Sequence, residues 1–285
     1  MLNSMKKLLL AAWLVILIPC SLQAQIPDSI MYKEVDSTSL YLYMDYPQGF
    51  DITKSYPAIV FFFGGGWLQG TPDHFAPQAS YFSDRGMVCI RADYRVNNRQ
   101  GTTPFESLQD AKSAMRYVRA HAGELGVNPD IIVASGGSAG GHLAAATALI
   151  DSYNEEGEEL SISCIPDALV LFNPVIDNGP GGYGFERIGE AYHVFSPLHN
   201  IRQGAPPTII FLGTEDQLIP VETVQYYKKV MEKVGSRCDL FLFEGEAHGF
   251  FNYGKFDNYQ KTLSEANQFL ISLGYLYENP VIEIE

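Results

Sequence analysis

The sequence predicts an α/β fold: one mostly parallel sheet with helices on both faces. Three observations lead there. Short, continuously apolar runs alternate with longer helical patterns along most of the chain, as parallel strands joined by crossover helices do. The run Ile131-Ile132-Val133-Ala134 passes through Ser135-Gly136-Gly137-Ser138-Ala139-Gly140-Gly141-His142 into an alanine-rich stretch ending at Leu149, so strand, tight turn and helix follow one another directly. Two late apolar runs, Thr208–Leu212 and Cys238–Phe243, each lead straight into a loop carrying carboxylates or a histidine. Those are the strand ends where a parallel sheet gathers its functional groups.

At the N-terminus Lys6 and Lys7 precede an apolar core, Leu8 to Ile18, then Ser21-Leu22-Gln23-Ala24. A charged end, an apolar core too short to span a bilayer and a small-residue exit make an export signal, with cleavage expected after Ala24. Cys20 offers a lipid-anchored alternative, ranked second because Pro19 directly before it suits a lipid-attachment site poorly. Residues 25–285 then form a single domain, exported to the periplasm or the medium, with no later run long enough for a membrane span. Loss of Lys6 and Lys7 leaves 17 of the 19 Lys+Arg against 33 Asp+Glu, so the formal charge moves from −14 to −16. So acidic a chain argues against nucleic acid or anionic lipid as a partner. The oligomeric state is not legible. Cys89, Cys164 and Cys238 are an odd number and show no metal-ligand spacing, so neither a disulfide framework nor a metal or other cofactor is expected. Cys89 and Cys238 lie in strand-like runs, where a buried free thiol is the ordinary outcome.

The mature chain begins with a predicted edge hairpin over residues 31–46. Ala58–Phe63 is continuously apolar and reads as a central strand. It runs into Gly64-Gly65-Gly66-Trp67. Three glycines cost chain entropy, so they form either a loose loop or backbone that must approach a ligand and present N–H groups to it. Met87–Ala92 is a strand. Ala111, Ala114, Met115, Val118 and Ala122 fall at helical spacing within an amphipathic helix over 104–122, with Pro104 near its start. Asp110, Arg116 and Arg119 lie off that stripe, on a solvated or salt-bridged face. Glu155-Glu156-Gly157-Glu158-Glu159 is an acidic surface loop without assignable chemistry, and Ala168–Phe172 is another strand. Residues 173–205 have no clear period and mix Gly, Pro, aromatics and charges; an insertion of that length is usually functional, as a lid or a substrate wall. Strand 208–213, helix 221–234, strand 238–243 and a helix near 258–273 complete the chain.

The turn Gly136-Gly137-Ser138-Ala139-Gly140 is a G-x-S-x-G pattern in strand–turn–helix context, which places a serine at a strained apex with its hydroxyl exposed. A serine hydroxyl is a poor nucleophile near neutral pH; it needs a base, and the base needs an orienting carboxylate. Carboxylates on offer are Asp216, Glu215 and Asp177. Imidazoles are His248, His142, His193, His199, His121 and His74. His142, just past the turn, suits packing or hydrogen bonding better than the role of base. Tyr94 and Arg95 are expected to tie the core together through hydrogen bonds.

Gly64-Gly65-Gly66-Trp67, Asp93-Tyr94-Arg95, Gly137-Ser138-Ala139-Gly140-Gly141-His142, Gly213-Thr214-Glu215-Asp216 and Ala247-His248-Gly249-Phe250 together resemble the α/β-hydrolase esterases of the hormone-sensitive-lipase-like group. Among these the bacterial acetyl and feruloyl esterases with a Gly-Gly-Gly-Trp loop are the most similar. The resemblance covers roughly residues 40–273, and the order Ser138, Asp216, His248 is that of the family's triad. It implies a serine carboxylic-ester hydrolase working through an acyl-enzyme. Ser138 is the nucleophile, His248 the base and Asp216 its orienting acid, preferred over Glu215 by position. The N–H groups of Gly65, Gly66 and Ala139 form the oxyanion hole. Trp67 and Tyr183 are expected at the substrate, Trp67 with the alternative of packing beneath the loop. The substrate implied is a small-molecule or oligosaccharide ester, with a short acyl group such as acetyl on a sugar or polysaccharide fragment. A serine peptidase of the same fold, or a lipase or feruloyl esterase taking larger acyl groups, is the alternative. A non-catalytic binding module would be expected to lack a triad member, and none is missing. One departure stands out: many relatives have His before the glycines, whereas this chain has Phe63, so a side-chain hydrogen bond to the loop is lost.

Overall fold

The computed structural model describes residues 27–278, and the leader expected over 1–24 lies outside them. Strands β1 (Ser29–Val35) and β2 (Thr38–Asp45) form an antiparallel hairpin. Then come β3 (Tyr56–Phe62), α1 (Ala76–Asp84), β4 (Val88–Ala92), the single turn α2 (Asn97–Gln100) and α3 (Pro104–Ala120). Strand β5 (Val127–Gly137) leads into α4 (Ala139–Leu149), followed by β6 (Ala168–Phe172) and the single turn α5 (Phe185–Ile188). Strand β7 (Thr208–Gly213), α6 (Val221–Lys233), β8 (Cys238–Phe243) and α7 (Phe256–Ser272) close the chain. The eight strands make one sheet in the order β1-β2-β4-β3-β5-β6-β7-β8. The hairpin joins β4 antiparallel; every pair from β4 to β8 is parallel.

The period of two along β3 explains why that strand is apolar throughout. Ala58, Val60 and Phe62 point into one core, with Leu108 and Met115 of α3, Leu143 of α4 and Tyr227 of α6. Ile59 and Phe61 point into the other, with Ala79 and Phe82 of α1 and Leu263 and Phe269 of α7. A strand covered on both faces can carry no alternation. This is the α/β sheet that the sequence predicts, and the hairpin contributes only β1 to the edge, since β2 is paired on both sides.

Two features depart from the sequence reading. Helix α1 lies in a stretch that the sequence reading leaves without an element; its N-cap Phe75 and its Ala79 and Phe82 are buried, at helical spacing, among serines, prolines and glutamine. The acidic loop after α4 is a clasp. Glu155 accepts from Lys33 at 2.6 Å and Arg95 at 3.3 Å, and Glu158 accepts from Arg116 at 2.7 Å. Arg95 also grips the fully buried Asp110 through two nitrogens at 2.8 Å, which ties the loop before α3 to the helix. Cys89, Cys164 and Cys238 are free thiols, all buried. Among the described residues no helix is long and apolar enough to cross a membrane, and no group of three His, Cys, Asp or Glu could hold a metal ion.

Candidate active site

Strand β5 delivers Ser138 at its C-terminal end, in the centre of the sheet. Ser138 has φ +55° and ψ −120°, a region that L residues avoid at about 1–3 kcal/mol. The surroundings impose it. The Ser138 amide donates to Phe172 O at 3.0 Å, and its carbonyl accepts from the amides of His142 at 3.0 Å and Val175 at 3.1 Å. Helix α4 must start at once beneath the end of β3, and it can do so only because residue 140 is glycine: a Cβ there would run into the carbonyls of Phe62 and Phe63.

The loop after β8 brings His248 over the serine. His248 Nε2 lies 2.9 Å from Ser138 Oγ, and Nδ1 lies 2.7 Å from Asp216 Oδ2. Asp216, from the loop after β7, has a fully buried carboxylate whose other oxygen accepts the amides of Leu218 at 2.8 Å and Ile219 at 3.0 Å. Both oxygens are thus satisfied and the carboxylate is fixed. Glu215 is exposed and meets the neighbouring loop only through its backbone amide, which donates to Glu246 O. Asp177 lies on the insertion and accepts from the Gly179 amide. The other histidines also stand apart from this chain of hydrogen bonds. His142 is fully buried, with Nε2 3.1 Å from Phe195 O, and burial pushes it down to about 3, so it stays neutral. His121 stacks on Tyr117, and His193 and His199 belong to the insertion.

A residue that sequence reasoning did not single out stands beside the serine. Asn173 Nδ2 lies 3.4 Å from His248 Nε2, and Asn173 Oδ1 accepts the Gly249 amide at 2.9 Å. Its only sequence signal is its place, directly after β6.

Facing these residues is the glycine loop after β3. The first glycine is anchored: the Gly64 amide donates to Nδ1 of His74 at 3.0 Å, and Nε2 of that ring bonds Asn252 Oδ1 at 2.7 Å. Accepting at one nitrogen and donating at the other requires a neutral ring, and burial indeed holds His74 below the usual histidine value, against the opposing pull of the Asn252 bond. The Gly65 carbonyl accepts the amides of Leu68 and Gln69 at 3.0 and 3.2 Å, closing a turn. Among the described residues the amides of Gly65 and Gly66 have no acceptor, and the Ala139 amide, first in α4, has none within the helix. These are the donors that a developing oxyanion needs, together with the positive end of the α4 dipole.

Phe63 stacks on Tyr94 with ring centroids 3.9 Å apart, and the Tyr94 hydroxyl donates to Phe63 O at 2.6 Å. The loop is held at its start by His74 at Gly64 and by Tyr94 at Phe63. Both Tyr94 and Arg95 tie the core as the sequence led us to expect.

The 173–205 insertion closes the other side. Besides α5 it contains two short 3-10 turns, Gly189–Val194 and Pro197–Asn200. Arg187 donates to Gly66 O at 2.6 Å, and its guanidinium lies over the rings of Trp67 and Tyr183 at 5.2 and 5.3 Å. Trp67 is 1% exposed, walled in by His142, Tyr183 and Phe195. It packs beneath the loop and does not line an open surface. Tyr183 is half-buried, and its hydroxyl lies 2.7 Å from where a Cβ on Gly66 would be, so it stands against the glycine loop.

Comparisons with known proteins agree with this architecture. The BD-FAE family model matches residues 44–177 and the dienelactone hydrolase family model residues 181–272. The isoprenylcysteine alpha-carbonyl methylesterase of Arabidopsis thaliana is 26% identical over 279 residues, covering 85% of this chain and 63% of its own length. The acetylxylan esterase of Xylanibacter ruminicola is 28% identical over 223 residues, covering 72% and 43%. The chain thus spans about half the length of the curated relatives it matches. Solved structures of esterase 2 from Thermogutta terrifontis are nearer its size. The form phosphorylated by paraoxon is 48% identical with a TM-score of 0.84, covering 88% of this chain and 95% of that one. Propionate-bound and butyrate-bound forms are 47% and 46% identical, with TM-scores of 0.83 and 0.84. With nearly half its aligned residues shared with an esterase, over almost that enzyme's whole length, the chain belongs to the α/β-hydrolase esterases.

Proposed function

We propose that this protein is a serine carboxylic-ester hydrolase that works through an acyl-enzyme on short-acyl esters, acetyl foremost, of sugars or polysaccharide fragments. The observation that carries the reading is the continuous relay Ser138 Oγ, His248, Asp216 at 2.9 and 2.7 Å, set opposite two free glycine amides. His248 takes the Ser138 proton as Oγ attacks the ester carbonyl, and Asp216 holds the tautomer and steadies the imidazolium. Gly65, Gly66 and Ala139 donate to the oxyanion, each such donor being worth about 3 kcal/mol in the transition state. His248 returns its proton to the leaving alcohol, and then serves as base for the water that frees the acid.

The short-acyl preference draws on the composition of the insertion, which sets Tyr183, Arg187 and other polar groups beside the loop where a lipase would need a long apolar groove. The propionate and butyrate bound by the Thermogutta esterase are short acids, and the Xylanibacter relative acts on acetylated xylan by name; both support the reading. Export to the periplasm or medium, read from residues 1–24, is part of the proposal.

A serine-reactive phosphonate tests the nucleophile. It will label Ser138 in the wild type, and Ser138→Ala will lose both labelling and turnover; labelling of another serine overturns the assignment. Asp216→Asn will lower kcat by about 10⁴-fold while Glu215→Gln stays near wild type. Across p-nitrophenyl esters from two to twelve carbons, kcat/KM will be highest at acetyl or propionyl and will fall by octanoyl. An optimum at octanoyl or beyond favours a lipase.

A further inference from the structure

Asn173 sits at the end of β6, fully buried, with φ +33°. Its amide donates to Phe211 O at 2.7 Å, which ties it to β7. Glycine would accept that backbone without strain, and this chain uses glycine freely at comparable turns. A side chain kept at a strained, buried position beside a site points to a task for the side chain.

The hydrogen bonds say what the task is. An Asn amide can face its neighbours in two ways, and here the choice is forced. The Gly249 amide can only donate, so the atom it meets at 2.9 Å is Oδ1. Nδ2, a donor only, therefore faces His248 Nε2 at 3.4 Å. On the far side of the ring Nδ1 faces the Asp216 carboxylate, an acceptor only. The imidazole is thus bracketed by an acceptor at Nδ1 and by donors at Nε2, namely Ser138 Oγ–H and Asn173 Nδ2–H. A single tautomer satisfies all of them: proton on Nδ1, lone pair on Nε2. Once Ser138 is acylated its Oγ has no proton to give, and Asn173 is the protein donor that still faces the lone pair.

We propose that Asn173 is a positioning residue for His248: Oδ1 fastens the histidine loop at Gly249, and Nδ2 holds the ring in the tautomer that can act as base, most of all in the acyl-enzyme. This rests on the serine-hydrolase reading above.

Two variants of the full chain test it. Asn173→Asp keeps the shape, the tolerance for a positive φ and the acceptor for Gly249, but turns the donor at Nε2 into an anionic acceptor. The acid limb of kcat/KM will move up by about one pH unit or more, with activity recovering at alkaline pH. Asn173→Gly relieves the backbone and deletes both contacts. It will melt no lower than wild type by more than a few degrees, yet kcat will fall about 10- to 100-fold and KM will fall with it, leaving kcat/KM little changed, and a burst of product ahead of steady turnover will report slowed deacylation. Proton–nitrogen NMR of the histidine ring supplies a readout independent of activity: at neutral pH His248 will carry its proton on Nδ1 in the wild type and on both nitrogens in Asn173→Asp. A wild-type pH profile and ring signature in Asn173→Asp, or wild-type kcat in Asn173→Gly, overturns the proposal. If the wild type neither labels nor turns over esters, the serine-hydrolase reading fails, and the ring signature still judges Asn173.

Discussion

Gly140 and Arg187 hold the two sides of the site in different ways. On the elbow side the chain is fixed by exclusion: α4 passes so close beneath β3 that residue 140 has room for hydrogen alone. On the insertion side it is fixed by reach: Arg187 stretches from a short helical turn to the Gly66 carbonyl, 121 residues away in sequence. Exclusion acts through backbone and cannot be repacked. Reach acts through a flexible side chain and can be lost without disturbing the fold. One arrangement therefore governs whether the site exists, and the other how well it is shaped.

The sharpest break of that contrast comes from Gly140→Ala. The added methyl meets backbone oxygens, so the variant will lose about 3 kcal/mol or more, and its melting temperature will fall by roughly 6–12 °C, with activity lost in proportion to unfolding. A soluble variant that melts like the wild type would place the constraint elsewhere.

Arg187→Ala comes next. The loop loses its grip on Gly66 O and the cover over Trp67, so kcat will fall about tenfold while KM stays within a few fold and melting shifts by only a few degrees. Arg187→Lys will fall between, since an ammonium can reach one carbonyl but cannot lie flat on two rings. Loss of stability without loss of kcat would make Arg187 a simple strut and erase the distinction.

The smallest effect at neutral pH concerns His142, where elbow helix and insertion touch through the contact with Phe195 O. Burial lowers His142 from 6.5 to about 3. Between those values the unfolded chain binds a proton that the folded chain refuses, so the stability His142 contributes is complete above pH 6.5 and drains away as pH falls toward 3. In thermal melts from pH 8 down to 4, wild type will lose stability faster than His142→Gln, which can still donate to Phe195 O and does not titrate. A gap between the two that stays constant with pH would show that His142 is not held neutral by the fold.

The same contrast explains what could be read in the sequence. Strands β3, β6 and β7, and β5 from Ile131 to Ala134, are legible because burial on both faces makes them apolar runs. Ser138 is legible because its turn is a local arrangement, set by the residues two and three positions away. Helix α1 is hard to read because the buried stripe formed by its N-cap Phe75 with Ala79 and Phe82 is short and interrupted by Pro77, Ser80 and Ser83. Trp67 could be placed in the loop but not above or below it, since its neighbours His142, Tyr183 and Phe195 come from distant segments. Asn173 and His74 were opaque for the same reason. His74 stood as one imidazole among several, and nothing near it in sequence announces Gly64 or Asn252.

The link through His74 couples two loops. It joins Gly64 to Asn252, so the glycine loop and the loop that follows His248 share one imidazole as their common support. Position 74 must offer an acceptor on one side and a donor on the other, at a fixed span. Glutamine can do both if position 252 keeps an acceptor, whereas an aliphatic residue at 74 strands two partly buried polar groups at once. A change at position 74 therefore reaches both loops at once, although 178 residues separate it from Asn252.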